Sequence, residues 1–515
     1  MALDDSEIVG TASLHIIQKS NRKMGLIEDV VTHPKHQGKG VGRQLVTELI
    51  KKAKTTEFGR DHNFSNIFSH KDFCNNVPVR DYEQFYGYIE KVKKGGENIL
   101  WPGKPKYFAK TSGTTSGAKL IPITKESMPN HIKSARNAVL FYVNKTGNTK
   151  FLDGKMIFIQ GSPVLEEING IKTGRLSGIV AHYVPSYLRR NNMPSRETNS
   201  IDNWDEKILK ICDETSKEEM TVIGGIPSWV QMYFEKLLSL NNKQNISQLF
   251  EKFSLFIYGG VNYSPYEKIF NKLIGKKIDS IEYFPASEGF FAYQNDQKDK
   301  SLLLQYDSGI YFEFIKVEDF EKKNPKRHNL SNIEININYV LIVSTNAGLW
   351  AYNTGDTIML VSTVPPKLLV TGRYNHFISA FGEHVIVSEV EQSLSETAKK
   401  FNLSISEFTV APKIENGNKL PCHEWFIEFE KLEINIKEFE KYLDVMVQKK
   451  NIYYKDLIKG NVLKTLEVKK LARGTFNRYM KSIGKLGGQN KVPRLSNSRD
   501  FVEGLLKKDS NSQIV

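Results

Sequence analysis

The chain has 515 residues, 40% of them hydrophobic and 25% charged, with a formal net charge of +14. That length accommodates about two to four domains and at least one large core, and the balance is that of an ordinary globular protein. No apolar run reaches bilayer length, and three scattered cysteines (Cys74, Cys212, Cys422) exclude a disulfide framework and lack metal-ligand spacing. The acidic start, Met1 to Glu7, has no apolar core of a secretory signal, so a cytoplasmic protein without a membrane segment is expected.

Residues 1–53 read as a separate piece. Ile8–Ile17 alternates as a strand does, Ser20–Lys23 turns, and Met24–Val31 forms a second strand. Gln37-Gly38-Lys39-Gly40-Val41-Gly42-Arg43 follows, and Leu45, Val46, Leu49 and Ile50 then give a helical apolar face. A glycine-rich turn at a helix N-terminus suits a pyrophosphate. This segment resembles motif A of the GNAT acetyltransferases, and Ile27–Val31 looks most like the glucosamine-phosphate N-acetyltransferases. The resemblance stops at Lys54, before the strand and helix that carry acceptor-binding residues in that family. Half a fold does not support an independent acetyltransferase; fusion, a mis-called start and an inactive adaptor all stay open.

From Thr55 the pattern is α/β. Residues Thr111 to Thr124 read T-S-G-T-T-S-G-A-K-L-I-P-I-T, between a strand at Tyr107–Ala109 and another at Leu120–Ile123. Gly113 and Gly117 let backbone N–H groups turn toward an anion, the hydroxyls of Thr111, Ser112, Thr114, Thr115 and Ser116 add donors, and Lys119 adds a point charge. The glycines are one residue closer than in a Walker loop, and a strand follows instead of a helix. A nucleotide-phosphate loop and a Ser/Thr-rich surface hairpin fit the loop alone equally well.

Met156–Ile159 and Leu255–Tyr258 are short apolar runs ending in turns, as buried parallel strands are. Trp229, Val230, Tyr233, Leu237 and Leu238 form a helical core stripe. Glu288 sits in a small-residue turn after a strand, in Tyr283-Phe284-Pro285-Ala286-Ser287-Glu288-Gly289, where its carboxylate suits a hard cation or a plain turn cap. Tyr339–Val343 and Ile358–Val361 look like strands flanking a turn, and Asp356 follows Gly355 there. A carboxylate at that place matches a ribose diol or a common β-turn Asp. Arg373 lies beside Gly372 where the pattern breaks, with glycines able to absorb a domain rotation. Helices over 390–401 and 436–447 follow, alternating with shorter strands.

Between Lys449 and Arg499 there are 14 Lys or Arg against Asp456 and Glu467. No zinc finger or RNA-binding aromatic motif accompanies them, so no nucleic-acid partner is expected. Within the stretch, residues 484–494 form a glycine-rich basic loop in which Lys491 can neutralise charge at a phosphate.

Taken in order, these motifs resemble the auxin-responsive (Gretchen-Hagen type) acyl-acid amido synthetases of the adenylate-forming superfamily, from about Lys54 to Leu506. Ser112–Gly117, Ala286-Ser287-Glu288, Tyr352–Asp356 and Gln489–Arg494 carry the likeness, and the run from Gly484 to Asn497 is similar to bacterial members. The family usually begins with a helical segment where acetyltransferase-like sequence stands here. The resemblance implies an α/β fold: a large adenylate-forming domain over 54–378 and a smaller, mobile α+β domain over 379–515, preceded by the partial ββα fragment 1–53. It also implies ATP and Mg²⁺ as cofactors, and a small carboxylic acid and an amino acid or other amine as partners. By this carry-over Thr111–Lys119 hold phosphates and Glu288 orients the metal. Asp356 grips the ribose, with Arg373 near ribose or phosphate, and Lys491 arrives from the second domain. Tyr258, Gly259, Gly260 and Phe284 flank the adenine, beside Ala286 and Ser287. Transfer to coenzyme A, or nucleotide binding without turnover, are the alternatives. The acid, the amine and the oligomeric state are not legible.

Overall fold

The computed structural model describes residues 2–510 other than 5–6, 20–21, 33–40, 115–116, 185–188, 202, 261–262, 264–266, 375–376, 379, 384, 415–418, 430–434 and 484–491. At the N-terminus β1 (Ala2–Asp4), β2 (Glu7–Lys19) and β3 (Arg22–Thr32) form an antiparallel sheet, and the two expected strands are β2 and β3. The glycine-rich turn over 37–40 lies outside the described residues. The helix Val41–Ala53 follows. Its buried residues Val46, Leu49, Ile50 and Ala53 recur at helical spacing and share one apolar cluster with Phe58, Phe64 and Tyr311. This stripe is therefore part of the core of the sequence that follows it.

A four-stranded sheet comes next, in the order β5-β4-β8-β7, from β4 (Tyr107–Thr114), β5 (Gly117–Ile123), β7 (Glu166–Ile168) and β8 (Ile171–Gly174). β4 and β5 are the strands expected on either side of the Ser/Thr-rich loop, and β8 runs parallel to β4.

The centre of the molecule is an eleven-stranded mixed sheet. Its parallel part comprises β6 (Lys155–Ile159), β9 (Asn192–Met193), β10 (Met220–Gly225), β11 (Leu255–Gly259) and β12 (Asp279–Ala286), in the order β9-β6-β10-β11-β12. Side chains alternate between two covered faces. Ile157, Ile223, Phe256 and Tyr258 pack with Trp229, Tyr233 and Phe234 of the helix Pro227–Asn241, where the core stripe was expected. Met156, Val222, Leu255 and Ile257 pack with Ala138 and Tyr142 of the helix Met128–Thr146. Burial on both faces is why these strands read as unbroken apolar runs.

The rest of the sheet is antiparallel: β13 (Gly289–Gln294), β14 (Leu302–Leu304), β15 (Ile310–Lys316), β16 (Asn338–Thr345), β17 (Tyr352–Thr363) and β18 (Pro366–Arg373). From β12 it continues β13-β14-β18-β17-β16-β15. Trp350 anchors this half: its Nε1–H donates to Leu100 O (3.1 Å), and its ring meets Phe64 edge-on at 4.8 Å.

After Arg373 a two-stranded pair, β19 (Phe377–Ile378) and β20 (Val385–Ile386), leads to the helix Val387–Lys400 and a three-stranded sheet. That sheet is β21 (Ile405–Lys413), β22 (Cys422–Phe429) and β23 (Glu467–Leu471), with helices Ile436–Lys450 and Ile452–Lys459 between the last two. One apolar cluster runs from Ile157 and Tyr258 through Phe381 to Trp425 and Tyr454, so this C-terminal part packs on the parallel half. Among the described residues no helix is long and apolar enough to cross a membrane.

Leu49→Ala should cost the whole chain roughly 2–5 kcal/mol, as a large-to-small core change does. Denaturant unfolding followed by tryptophan fluorescence measures it. An unchanged main transition would mean that the N-terminal helix is an appendage.

Candidate active site

Ligands of open α/β sheets sit outside the carboxyl ends of the parallel strands. Here those ends are Ile159, Gly225, Gly259 and Ala286. Gly259 pairs with Tyr283 of β12, and a Cβ on it would lie 2.5 Å from Tyr283 O, so only glycine lets the strands close at this edge. Gly260 has φ +81°, a left-handed conformation that turns the chain sharply out of the sheet.

Tyr258 is buried and stacks on Tyr263 at 4.5 Å and on Phe256 at 5.2 Å. Its hydroxyl makes a long hydrogen bond of 3.5 Å to Glu282 Oε2. Burial pushes the Glu282 carboxyl up to about 7, against the lowering effects of Tyr258 and Lys300. Phe284 lies on the same strand, two residues on, and meets Phe291 edge-on at 5.2 Å.

The turn between β12 and β13 carries Ser287 and Glu288, both half-buried, between paired Ala286 and Gly289. Asn130, buried near the start of the helix Met128–Thr146, holds this turn from behind. Its Oδ1 accepts from Phe290 N–H (2.7 Å), and its Nδ2 donates to Phe290 O (3.1 Å) and to Ser308 Oγ (2.8 Å). The same helix follows β5 through a reciprocal turn: Thr124 N–H donates to Ser127 Oγ (3.0 Å) and Ser127 N–H to Thr124 Oγ1 (3.0 Å). The β4–β5 hairpin and the Glu288 turn are thus fastened to one short segment.

In that hairpin Thr111 faces Lys119 and Thr114 faces Gly117. The Lys119 ammonium lies 5.7 Å from the centre of the Tyr82 ring, and Tyr82 Oη accepts from Leu120 N–H (2.8 Å). Thr115 and Ser116 lie outside the described residues, as do the side chains of Ser112 and Thr114. At the far end of β8, Arg175 packs so close to the loop after β6 that a Cβ on Gly161 would meet its Cδ at 2.8 Å. The Arg175 guanidinium also lies 5.3 Å from the Tyr453 ring of the C-terminal part.

Asp356 is buried on β17 and faces Arg373 of β18 in register. Its N–H donates to Thr354 Oγ1 (3.1 Å), which donates in turn to Leu341 O (3.0 Å). β13, β14 and β18 lie between this strand and the Glu288 turn in the sheet order. The Arg373 side chain, and Lys491 with the whole loop 484–491, lie outside the described residues. The segment after that loop runs beside β21: Val410 N–H donates to Arg494 O (3.0 Å), and the Arg494 side chain is bonded to Glu407.

Three domain models of one family match in order: the GH3 family N-terminal domain over residues 27–198, the central domain over 303–373 and the C-terminal domain over 388–500. The chain belongs to the GH3 family. Indole-3-acetic acid-amido synthetase GH3.5 of Arabidopsis thaliana is 20% identical over 98% of this chain and 94% of its own length. A solved acyl acid amido synthetase, AtGH3.15 in complex with 2,4-DB, superposes with a TM-score of 0.57 at 17% identity, covering 91% of this chain and 93% of that one. The fold is therefore that of the adenylate-forming GH3 structures, with a large N-terminal and a smaller C-terminal domain. The glucosamine 6-phosphate N-acetyltransferase of Schizosaccharomyces pombe is 41% identical over 54 residues, 10% of this chain and 49% of that protein.

Sequence reasoning missed Asn130 and Glu282, whose partners are set by tertiary contacts. Asn130→Ala should cost about 1–3 kcal/mol, the scale of a buried peptide group left unpaired, and denaturant titration reads it. The Glu282 carboxyl is raised from 4.5 to about 7 in the folded chain. Its stabilising contribution is thus present below pH 4.5 and lost as pH rises through about 7. Glu282→Gln keeps the shape without the charge. Its melting temperature should match wild type near pH 4.5 and exceed it at about pH 8; the reverse order would refute the shift.

Proposed function

We propose that the chain is an ATP-dependent acyl-acid amido synthetase, which adenylates a small carboxylic acid and passes the acyl group to an amine, in the first instance an amino acid. The observation that carries this reading is GH3 membership in all three domains, in order, together with the fastening of the β4–β5 hairpin and the Glu288 turn to one segment. The auxin relative named above conjugates an acid to an amine, which fits the same chemistry.

In the first half-reaction an oxygen of the acid attacks the α-phosphorus of ATP, and the bond to pyrophosphate breaks. In the second, the amine nitrogen attacks the acyl carbonyl carbon, AMP departs, and the nitrogen loses its proton. Neither step needs a side-chain nucleophile, so positioned charge and hydrogen-bond donors do the work. We assign phosphate binding to the hairpin Thr111–Lys119, with its donors and Lys119. Gly259 and Gly260 would admit the nucleotide at the strand edge, with Tyr258, Phe284, Ala286 and Ser287 lining the base. Asp356 is assigned to the ribose, with Arg373 beside it, and Lys491 to the α-phosphate.

The Glu288 carboxylate is engaged by no hydrogen bond or ion pair among the described residues, and its half-buried oxygens suit a hard cation. Mg²⁺ held there would neutralise phosphate charge. We place the domain division at residues 378–379, with residues 1–53 as an N-terminal piece to which no acetyl transfer is assigned.

Pyrophosphate release from ATP should depend on added carboxylic acids and rise when amino acids are present. A response to coenzyme A in place of amines would move the assignment to a thioester-forming ligase. Glu288→Ala and Lys491→Ala should each slow release at least about tenfold, the scale of one lost transition-state contact. Near-normal rates would remove the corresponding role.

A further inference from the structure

Away from the strand edge, the helix His70–Asn76 and β15 bring together an imidazole, a thiol and a carboxylate. His70 and Cys74 are one helical turn apart and face the same way. His70 Nε2 lies 2.7 Å from Glu313 Oε1 and 3.4 Å from Cys74 Sγ, and Cys74 Sγ lies 3.9 Å from Glu313 Oε1. Glu313 is fully buried, whereas the His70 side chain is 25% exposed and Cys74 half-buried, which leaves a way in from solvent. We propose that His70 Nε2, Cys74 Sγ and Glu313 Oε1 form a binding site for a soft divalent cation of the zinc class, with solvent in the fourth position.

Imidazole, thiolate and carboxylate together are a donor set that zinc takes. Bonds of about 2.0–2.3 Å in a tetrahedron put the donors roughly 3.4–3.6 Å apart. The three observed separations straddle that range, and only the His70–Glu313 contact has to open by less than about 1 Å.

The Arg327 guanidinium backs the carboxylate of this cluster. That guanidinium donates from Nε and Nη2 to Glu313 (2.9 and 2.5 Å) and from Nη1 to Val77 O (2.6 Å). It also lies over the Phe73 ring, while Tyr311 meets the His70 ring edge-on. Arg327 thus holds both oxygens of Glu313 and orients the ligating carboxylate from behind. Cys212 and Cys422 are buried with thiols pushed up to about 12, and do not compete.

The test is titration of the full, chelator-stripped chain with Zn²⁺ and Co²⁺. One ion per chain is expected, with a thiolate-to-cobalt charge-transfer band and a raised melting temperature. Cys74→Ser should lose the band and weaken Zn²⁺ binding at least about tenfold, while Cys212→Ala keeps both. A cobalt spectrum without the thiolate band, or unchanged Zn²⁺ affinity in a folded Cys74→Ser, would reduce the cluster to a buried ion pair only. Should Cys74→Ser fail to fold, the wild-type cobalt spectrum decides alone.

Discussion

A parallel sheet covered on both faces can do chemistry only at its ends. β6, β10 and β11 are packed by helices on either side, and their side chains alternate between two dry clusters. Polar groups that the parallel strands can offer to a ligand are therefore confined to the turns after Ile159, Gly225, Gly259 and Ala286. The requirement explains why glycine recurs there. Gly259 admits the carbonyl of the neighbouring strand, and Gly260 takes the left-handed turn that leaves the sheet. Asn130 fits the same constraint. A turn proposed to hold a metal-binding carboxylate needs rigid backing, and a buried amide that both accepts from and donates to the Phe290 peptide supplies it.

The C-terminal domain leans on the same edge. Its apolar cluster is continuous with that of β6, β10 and β11, and Tyr453 lies against Arg175 at the end of β8. The connecting segment is fixed to one side of this contact. Glu383 and His423 are both fully buried and pair at 2.7 Å, and Glu383 Oε2 also accepts from Phe381 N–H (2.8 Å). A buried pair is costly to separate because each partner would be left as a buried polar group without its hydrogen bond. The pair ties residues 381–383 to β22.

Local patterns were legible in the sequence and distant partners were not. The hairpin around the Ser/Thr-rich loop, the strands β16 and β17, the helix Pro227–Asn241 and the Glu288 turn all follow from period, turn chemistry and short apolar runs. Asn130 left no such trace, because a lone Asn in a helical stretch reads as solvated surface until the fold sets it against Phe290, 160 positions on. The metal-ligand spacing of Cys74 is hidden for the same reason. His70 and Cys74 have it, but the third donor is Glu313, 239 positions from Cys74.

The N-terminal segment shows why a motif is chemistry only in a fold that presents it. In an acetyltransferase-like unit the apolar stripe of the helix after the glycine-rich turn has to cover that unit's own sheet. Here Val46, Leu49, Ile50 and Ala53 belong to a cluster with Phe58, Phe64 and Tyr311, far into the following domain. A side chain buried in one core is not available to another. The 54-residue likeness to an acetyltransferase thus carries its local sequence pattern, while the helix has become a supporting element beneath β15, the strand that bears Glu313.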